Sequence, residues 1–423
     1  MLDLNATAWL GCLIATFASV PMLGDAARVT AREPARVIAR ESEGVATALD
    51  FDVGVQARYF PQTGARGQAR FHPSVSFQMQ YHRVWNSGHD AFTARPFFRY
   101  DREDDERTHA DLREFLFTHV GRDWDVQAGI GQVFWGVTEF RHLVDIINQT
   151  DRVENIDGED KLGQPMIKTS LVRDWGILDI YVLPGFRDRT FPGVNGRLRT
   201  EPIIDADLAT YDSGAKRRRI DGAIRWSHFI GPLEFGLHHF SGTSRDPELR
   251  LVDTGGGELV FSPHYAVIDQ TGIDAQLIFG DWAWKLEALT RAGQGDRYAA
   301  VTFGVEHTLV GVFGSRSDLG IVAEYMYDDR GLEALTLFEN DVALGARWRR
   351  NDFSDTQALL GWTFDVRTGE YIFSLELSRR VGDTWSLYLE SRVFGGAGVG
   401  IPPDKSASLQ RDDYIQLELT RFF

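Results

Sequence analysis

Apolar and polar residues alternate along most of this chain. At the carboxyl end, Ile415, Leu417 and Leu419 fall on one parity, and Gln416 and Glu418 fall on the other. The same alternation marks earlier stretches at residues 49–59, 74–82, 273–279, 282–288, 301–306, 371–378 and 385–393. Because successive side chains of a β-strand point to opposite faces, this period of two predicts strands with one apolar and one polar face.

The links between these stretches fall into two kinds. Tight turns lie at 85–90, 121–123, 173–174, 230–232, 280–281 and 382–384, whereas longer links span 61–73, 135–165, 187–218, 241–264, 328–339 and 395–411. Tight turns at one end and long loops at the other are typical of transmembrane β-barrels. With the weaker segments included, the pattern predicts an all-β fold, a transmembrane antiparallel up-and-down β-barrel of about 18 strands.

Tryptophan positions support the barrel independently. Seven tryptophans fall at or near the predicted tight turns: Trp85, Trp124, Trp175, Trp226, Trp282, Trp348 and Trp385. Such a belt of aromatic residues is expected at a membrane–water interface. The alternative is a soluble all-β binding protein whose aromatic residues fill the core of a sandwich or propeller. That alternative does not explain why the tryptophans favour one class of strand end.

Composition excludes two other classes of protein. The chain has 423 residues and a formal net charge of −16, which argues against a nucleic-acid-binding surface. Only residues 6–24 form a long apolar run, so a bundle of membrane-spanning helices is not expected. A content of 12% aromatic residues and 42 glycines suits a protein made of strands and turns.

The amino-terminal residues are predicted to direct export. The apolar stretch 9–20 precedes a small-x-small site at Gly24-Asp25-Ala26, so residues 1–26 are interpreted as a signal peptide. No Lys or Arg precedes the apolar stretch, and a single anchor helix is the alternative. Residues 27–46 are then a periplasmic tether and residues 47–423 the barrel. Cys12, the only cysteine, lies in the signal peptide, so no disulfide, metal site or cofactor is predicted.

One long stretch does not read as a strand. It begins after Gly131, follows the fifth predicted strand, and is therefore the third outer loop, at residues 135–165. Leu143, Ile146 and Ile147 are apolar residues within an otherwise charged segment. A loop with its own apolar cluster is expected to fold against another part of the protein.

Two segments carry resemblances to known families. The last strand, which ends on Phe423, resembles the terminal signature of bacterial outer-membrane β-barrels. Trp135-Gly136, followed by Asn148-Gln-Thr-Asp151, resembles a segment of uncharacterised proteobacterial barrel proteins in which Trp-Gly precedes Asn-Pro-x-Asp; here Gln149 replaces the proline. The resemblance implies the bacterial outer membrane as location and recognition of Phe423 by the barrel assembly machinery. It also implies a third loop that folds into the lumen and narrows it, as in general porins.

Candidate functional residues follow from the loop and from the polar parity of the strands. The predicted constriction is lined by loop residues Glu139, Arg141, His142, Asp145, Asn148, Asp151, Arg152 and Glu154, and by wall residues Arg95, Arg99, Arg225, Glu287, Glu306, Glu324, Arg347, Glu376, Glu390 and Arg392. Rings of charge set ion preference in channels. The excess of acids on the loop therefore predicts a mild preference for cations.

The leading hypothesis for function is a porin that lets small solutes diffuse through a polar lumen, without enzymatic activity. An outer-membrane barrel enzyme of the lipid hydrolase type is the alternative, and it would need Ser, His and a carboxylate or amide together on the lipid-facing rim. The chain has no Gly-x-Ser-x-Gly nucleophile elbow. Expected partners are outer-membrane lipids, lipopolysaccharide and possible further copies of the chain. The run Lys216-Arg-Arg-Arg219 is either a phosphate-binding site for lipopolysaccharide or a solvated group of charges.

Overall fold

Eighteen strands form one closed sheet in the computed structural model, which describes residues 45–396 and 409–423. The barrel strands are β1 (Ala46–Tyr59), β2 (Phe71–Trp85), β3 (Asp90–Asp101), β4 (His109–Val120), β5 (Trp124–Gly131), β6 (Gln164–Arg173), β7 (Gly176–Pro184), β9 (Ile220–Ile230), β10 (Leu233–Thr243), β13 (Val267–Phe279), β14 (Trp282–Ala292), β15 (Tyr298–Leu309), β16 (Ser317–Asp328), β17 (Asn340–Arg350), β18 (Gln357–Asp365), β19 (Tyr371–Val381), β20 (Trp385–Gly395) and β21 (Tyr414–Phe422). The predicted signal peptide and most of the predicted tether lie outside the described residues.

Smaller elements occupy the connections. Strands β8 (Thr210–Tyr211), β11 (Glu248–Asp253) and β12 (Leu259–Tyr265) form a separate three-stranded sheet. Single-turn 3-10 helices lie at Asn86–Gly88, Ala206–Leu208, Lys216–Arg218, Val312–Gly314 and Gly331–Glu333. None of the helices formed by the described residues is long and apolar enough to span a membrane.

Closure of the barrel joins its first and last strands. β1 pairs antiparallel with β2 on one side and with β21 on the other, with Val55 opposite Leu419. Beyond the last ladder pair, the Phe423 N–H donates to the carbonyl oxygen of Phe51 over 3.0 Å, and the two rings stack with centroids 4.8 Å apart. Each barrel strand therefore has two hydrogen-bonded neighbours, which is the condition for a sheet that stands in hydrocarbon. The predicted strand number and antiparallel fold are confirmed.

Apolar side chains cover the outside of the barrel and polar side chains fill its inside. On β21, Leu417 is 46% exposed on the outer face, whereas Gln416 is 1% exposed on the inner face. This is the reverse of a soluble protein, in which apolar groups lie inside. An apolar outer surface around a polar interior is stable when lipid surrounds the barrel.

The two ends of the barrel differ as predicted. Turns of two to seven residues close one end, and the seven tryptophans lie at or near that end. The other end carries the longer loops, although its connections at 102–108 and 293–297 are short and were not recognised in the sequence. The segment predicted as a loop at 241–264 includes most of the β11–β12 hairpin.

The third outer loop comprises residues 132–163 and folds into the barrel. Its boundaries differ from the predicted 135–165, because β5 ends at Gly131 and β6 begins at Gln164. Trp135, Ile146 and Ile147 are buried in one apolar cluster with wall residues of β6, β7, β9, β10 and β13. The apolar residues of the loop are therefore packed against the inner wall.

The contact between Phe423 and Phe51 predicts a measurable role in closure. Phe423→Ala removes the stacked ring but keeps the backbone donor, and should lower the free energy of unfolding by about 0.5–1.5 kcal/mol. Deleting Phe423 also removes the hydrogen bond and should cost more. The urea concentration at which the refolded protein loses its heat-modifiable gel migration measures both effects. An unchanged midpoint after the deletion would contradict this role.

Candidate functional site: the lumen and its third outer loop

A wall carboxylate on β14 holds the first part of the third outer loop. Oε1 of Glu287 accepts hydrogen bonds from the backbone N–H of Val137 at 2.7 Å and of Thr138 at 2.9 Å, and from the Thr138 hydroxyl at 2.7 Å. Oε2 accepts the Val144 N–H at 3.2 Å. Gly136 is required here, because its φ is +139° and a Cβ atom would lie 2.8 Å from the same carboxylate.

A second wall carboxylate, on β16, holds the next turn of the loop. Oε1 of Glu324 accepts the Glu139 N–H at 2.6 Å, and Oε2 accepts the Phe140 N–H at 2.9 Å. The Phe140 ring then rests on Gly345 and Gly361, which face each other across β17 and β18. A Cβ atom on either glycine would come within 2.7 Å of the ring. Gly345 and Gly361 therefore leave the space that the Phe140 ring occupies, here called its seat, and a larger residue at either position would fill that space.

Ion pairs reinforce this attachment. Arg347 on β17 pairs with Glu139 of the loop. Arg141 of the loop donates to the carbonyl oxygen of Phe338 at 2.6 Å and lies 3.5 Å from the carboxylate of Asp328 on β16. The first half of the loop thus spans the lumen from β5 to the wall formed by β14 to β18.

The second half of the loop is held by the opposite wall. Arg99 on β3 donates from Nε and Nη2 to Glu154, each over 2.8 Å, and both side chains are buried. Arg107, in the connection from β3 to β4, donates to the Val153 carbonyl oxygen at 2.8 Å. Burial opposes the charge on Glu154, but Arg99, Arg107 and Arg113 together hold its pKa well below the usual range. Glu154 is therefore ionised, and it forms a buried ion pair with Arg99 of the wall.

Arg392 on β20 contacts three carboxylates near β19 and β20. Arg392 lies 3.0 Å from Asp157 of the loop, 3.2 Å from Glu376 and 2.8 Å from Glu390. Asn155 of the loop also donates to Glu390 at 3.2 Å. Glu376 and Glu390 lie opposite each other in the sheet, so the arginine offsets repulsion between two buried acids.

The remaining charged loop residues pair within the loop or with its surroundings. Lys161 lies 3.0 Å from Asp145, and His142 lies 3.1 Å from Glu159. Burial disfavours the charge on His142, but neighbouring Glu159 raises its pKa to about 9, so the imidazolium persists at neutral pH. Asp160 lies 3.4 Å from Arg113 of β4.

Three predicted loop residues have structural contacts at its base. Asn148 donates from Nδ2 to the carbonyl oxygens of Gly131 and Leu162, each over 2.9 Å, and its Oδ1 accepts from Val133. Asp151 accepts from the Thr190 hydroxyl at 2.7 Å and lies 3.4 Å from His109 Nε2. Arg152 donates to the carbonyl oxygen of Ile156. These contacts close the loop at its base.

Other charged residues of the wall, which are buried or mostly buried, form pairs around the lumen. Arg225 donates to Asp274 at 2.8 Å, Lys285 to Glu306 at 3.2 Å, and Arg95 lies 3.7 Å from Glu114. Lys168 lies 3.4 Å from Asp179, and Arg347 lies 3.6 Å from Glu306.

The sequence prediction for the wall was incomplete. It included Arg95, Arg225 and Glu306 but missed Glu114, Lys168, Asp179 and Asp274. These four residues lie on the polar parity of their strands and could have been found in the sequence. Only the identity of their partners depends on the strand register.

Comparisons with known proteins identify the fold. No protein-family model matches the sequence, and no curated protein matches it. Among solved structures, Pseudomonas aeruginosa OpdO aligns over 90% of this chain and 96% of its own, with 11% identity and a TM-score of 0.53. Pseudomonas aeruginosa OccD3 (OpdP) aligns over 93% of this chain and 95% of its own, with 10% identity and a TM-score of 0.52. The chain therefore shares the 18-stranded barrel fold of these proteins.

The Glu287 contacts predict a local change in loop protection. A hydrogen bond to a charged group contributes about 1.5–3 kcal/mol. In Glu287→Gln a neutral amide replaces the charged acceptor, so each backbone hydrogen bond to residue 287 should lose part of this free energy. Hydrogen exchange at the amides of Val137, Thr138 and Val144 should accelerate at least tenfold, while exchange in the barrel strands stays unchanged. Glu306→Gln is the matched control, because Glu306 pairs only with wall cations in the described contacts. Equal acceleration in both variants would contradict the specific role of Glu287.

Proposed function

We propose that this chain is an outer-membrane channel through which small polar solutes diffuse. The observation that carries the proposal is a closed barrel with an apolar outer face, a charged inner face and a loop folded across its lumen. Barrels of this strand number enclose an aqueous space that wall side chains alone do not fill. That the chain lacks enzymatic activity stays a prediction, and lipid hydrolysis by the purified protein would overturn it.

The third outer loop is proposed as the constriction. It makes hydrogen bonds and ion pairs with β3, β4, β14, β16, β17 and β20, so it crosses the lumen rather than following one wall. A solute must pass beside these contacts. The side chains nearest to such a passage are those with partial exposure, including Arg95, Glu306 and Arg347.

Ion selectivity is proposed to be weak. The loop carries acids that each have a cationic or hydroxyl partner, at Glu139, Asp145, Asp151, Glu154, Asp157, Glu159 and Asp160. Paired charges produce much smaller fields at a distance than isolated ones. The acid excess read from the sequence is therefore largely neutralised, which favours uncharged or zwitterionic polar solutes and leaves only a mild cation preference.

Partner molecules are proposed from surface contacts. Arg217 is held by Asp188 at 2.8 Å and Arg219 by Asp221 at 3.1 Å, whereas Lys216 is exposed. Lys216 and its neighbour Arg218 are proposed to bind lipopolysaccharide phosphates. Recognition of Phe423 by the barrel assembly machinery, assembly into oligomers and an amino-terminal signal peptide and tether remain proposals.

Kinship with the uncharacterised Trp-Gly barrel proteins is also a proposal. It is supported by the positions of the matching residues: Asn148 and Asp151 close the base of the loop, and Trp135 packs in its core. These are positions at which a structural segment would be preserved.

Removing the constriction should widen the channel. Replacing residues 140–161 by a short Gly-Ser linker is expected to raise single-channel conductance in planar bilayers, because the loop then retracts from the lumen. Heat-modifiable migration of the same sample shows whether the barrel still folds. If the folded variant conducts no more than the original chain, or if the original folded chain shows no conductance, the channel proposal fails.

Removing loop acids should change selectivity in a defined direction. Replacing Asp145 and Asp151 with Asn leaves the charges of Lys161 and Arg113 less balanced, so the reversal potential in a salt gradient should shift toward anions. Glu258→Gln, an exposed acid at the tip of the β11–β12 hairpin, is the matched control and should cause no shift. Equal shifts in both variants would assign the effect to overall charge rather than to the loop.

A further inference from the structure

Four consecutive turns at the tryptophan end of the barrel expose large apolar side chains. Ile230 is 62% exposed, Phe279 75%, Val310 73%, Phe313 101% and Phe353 64%. They lie in or beside the turns that follow β9, β13, β15 and β17. These five residues are here called the apolar rim. Large apolar groups grouped in this way mark a surface that binds something other than water.

Backbone hydrogen bonds join these turns into one continuous arc. The Ile278 N–H donates to the Pro232 carbonyl oxygen at 3.2 Å, and the Thr308 N–H donates to that of Asp281 at 2.9 Å. The Asn351 N–H donates to the carbonyl oxygen of Arg316 at 3.0 Å. Each turn therefore lies next to the following one, and the five residues of the rim lie along one arc of adjacent turns.

Three other turns at the same end of the barrel contain no large apolar residue. The turn after β2 contains Asn86–Gly88, the turn after β4 is Gly-Arg-Asp at 121–123, and the turn after β19 is Gly-Asp-Thr at 382–384. Apolar residues also occur at the remaining turns, but they are less exposed: Trp175 in the turn after β6 is 51% exposed, and Val381 beside the turn after β19 is 47% exposed. The most exposed apolar residues of this end therefore lie on the side of the rim.

The apolar rim continues the lipid-facing surface. Phe279 pairs with Trp282 in the ladder, and Trp282 stacks on His307 with centroids 4.3 Å apart. Tryptophans of this kind lie at the level of lipid headgroups. Val310 and Phe313 belong to the turn beyond this level, so the apolar surface extends past the aromatic belt on this side.

Cationic side chains flank the rim. Arg316 is exposed three residues after Phe313. Arg349 and Arg350 have half-exposed side chains beside the turn that contains Phe353, where they pair with Asp355 at 3.0 Å and Asp352 at 2.6 Å. Apolar residues at the acyl boundary with nearby cations at the phosphates are typical of protein segments that insert into a membrane interface. The composition of the rim therefore fits phospholipid.

We propose that the apolar rim is buried in the headgroup region of the periplasmic leaflet, with phospholipid as its partner, while the polar turns of the opposite side remain in water. Phe313 inserts its side chain toward the acyl chains, and Arg316 contacts lipid phosphate. The barrel is thereby seated asymmetrically at its short-turn end. This inference concerns the outer surface and goes beyond the proposed channel function.

Spin labels at single cysteines test the inference. With Cys12 replaced by Ser, the variants Val310→Cys, Phe313→Cys and Asp383→Cys are labelled and reconstituted in vesicles of phosphatidylethanolamine and phosphatidylglycerol. Asp383, exposed in the turn after β19, is the matched control. At 310 and 313, collisions with oxygen should exceed collisions with a water-soluble nickel chelate severalfold. The ratio should reverse at 383.

Two results would overturn the proposal. Predominant collision with the nickel chelate at 310 and 313 would mean that the rim stands in water. Shielding of these labels from both reagents only after addition of periplasmic extract would assign the rim to a protein partner instead of lipid. Heat-modifiable migration and conductance of the same samples separate either result from misfolding or from failure of the channel proposal.

Discussion

The position of the third outer loop depends on charges that are buried inside the barrel. Glu287 is fully buried and Glu324 is almost so, and water would have to replace the N–H groups of the loop if the loop left. A buried charge that is left without any partner costs about 3–5 kcal/mol. Arg99 and Arg392 impose the same constraint on the other side. The loop and the wall therefore stabilise each other, and neither half is stable in this arrangement alone.

Acids and arginines of the wall bind different backbone groups of the loop, because the loop backbone is irregular. Five of its N–H groups, at residues 137–140 and 144, donate to Glu287 or Glu324. Some of its carbonyl groups accept from arginines: Arg245 donates to the Ile147 oxygen at 3.0 Å, and Arg107 donates to that of Val153 at 2.8 Å. Non-helical backbone at membrane depth requires such replacement of missing partners. Wall charges thus serve the loop's backbone as well as its side chains.

The same pairing limits how the lumen can act on a solute. Most wall cations already have a carboxylate neighbour, so a passing ion meets short-range dipoles rather than a field of one sign. Movement of the loop would change this, because Arg347 links it to Glu306 of β15 and Arg392 links it to Glu376 of β19. The width of the channel and its ion selectivity therefore depend on the same contacts between the loop and the wall. On the outside, the apolar rim extends the lipid-facing surface at one side only, so the barrel differs around its circumference both inside and out.

The sequence determined the barrel, its strand number, the apolar and polar faces, and the existence of a folded loop after the fifth strand. These features are local: a period of two and the length of a link are visible within ten to thirty residues. The tertiary structure decided which charges meet. Glu287 and Thr138 are 149 positions apart, and Arg392 and Asp157 are 235 apart. The seat for Phe140 on Gly345 and Gly361 was likewise invisible, because it requires the register of β17 and β18 and the path of the loop. Charge partners depend on strand neighbours and loop geometry, and neither of these is encoded in the local alternation of the chain.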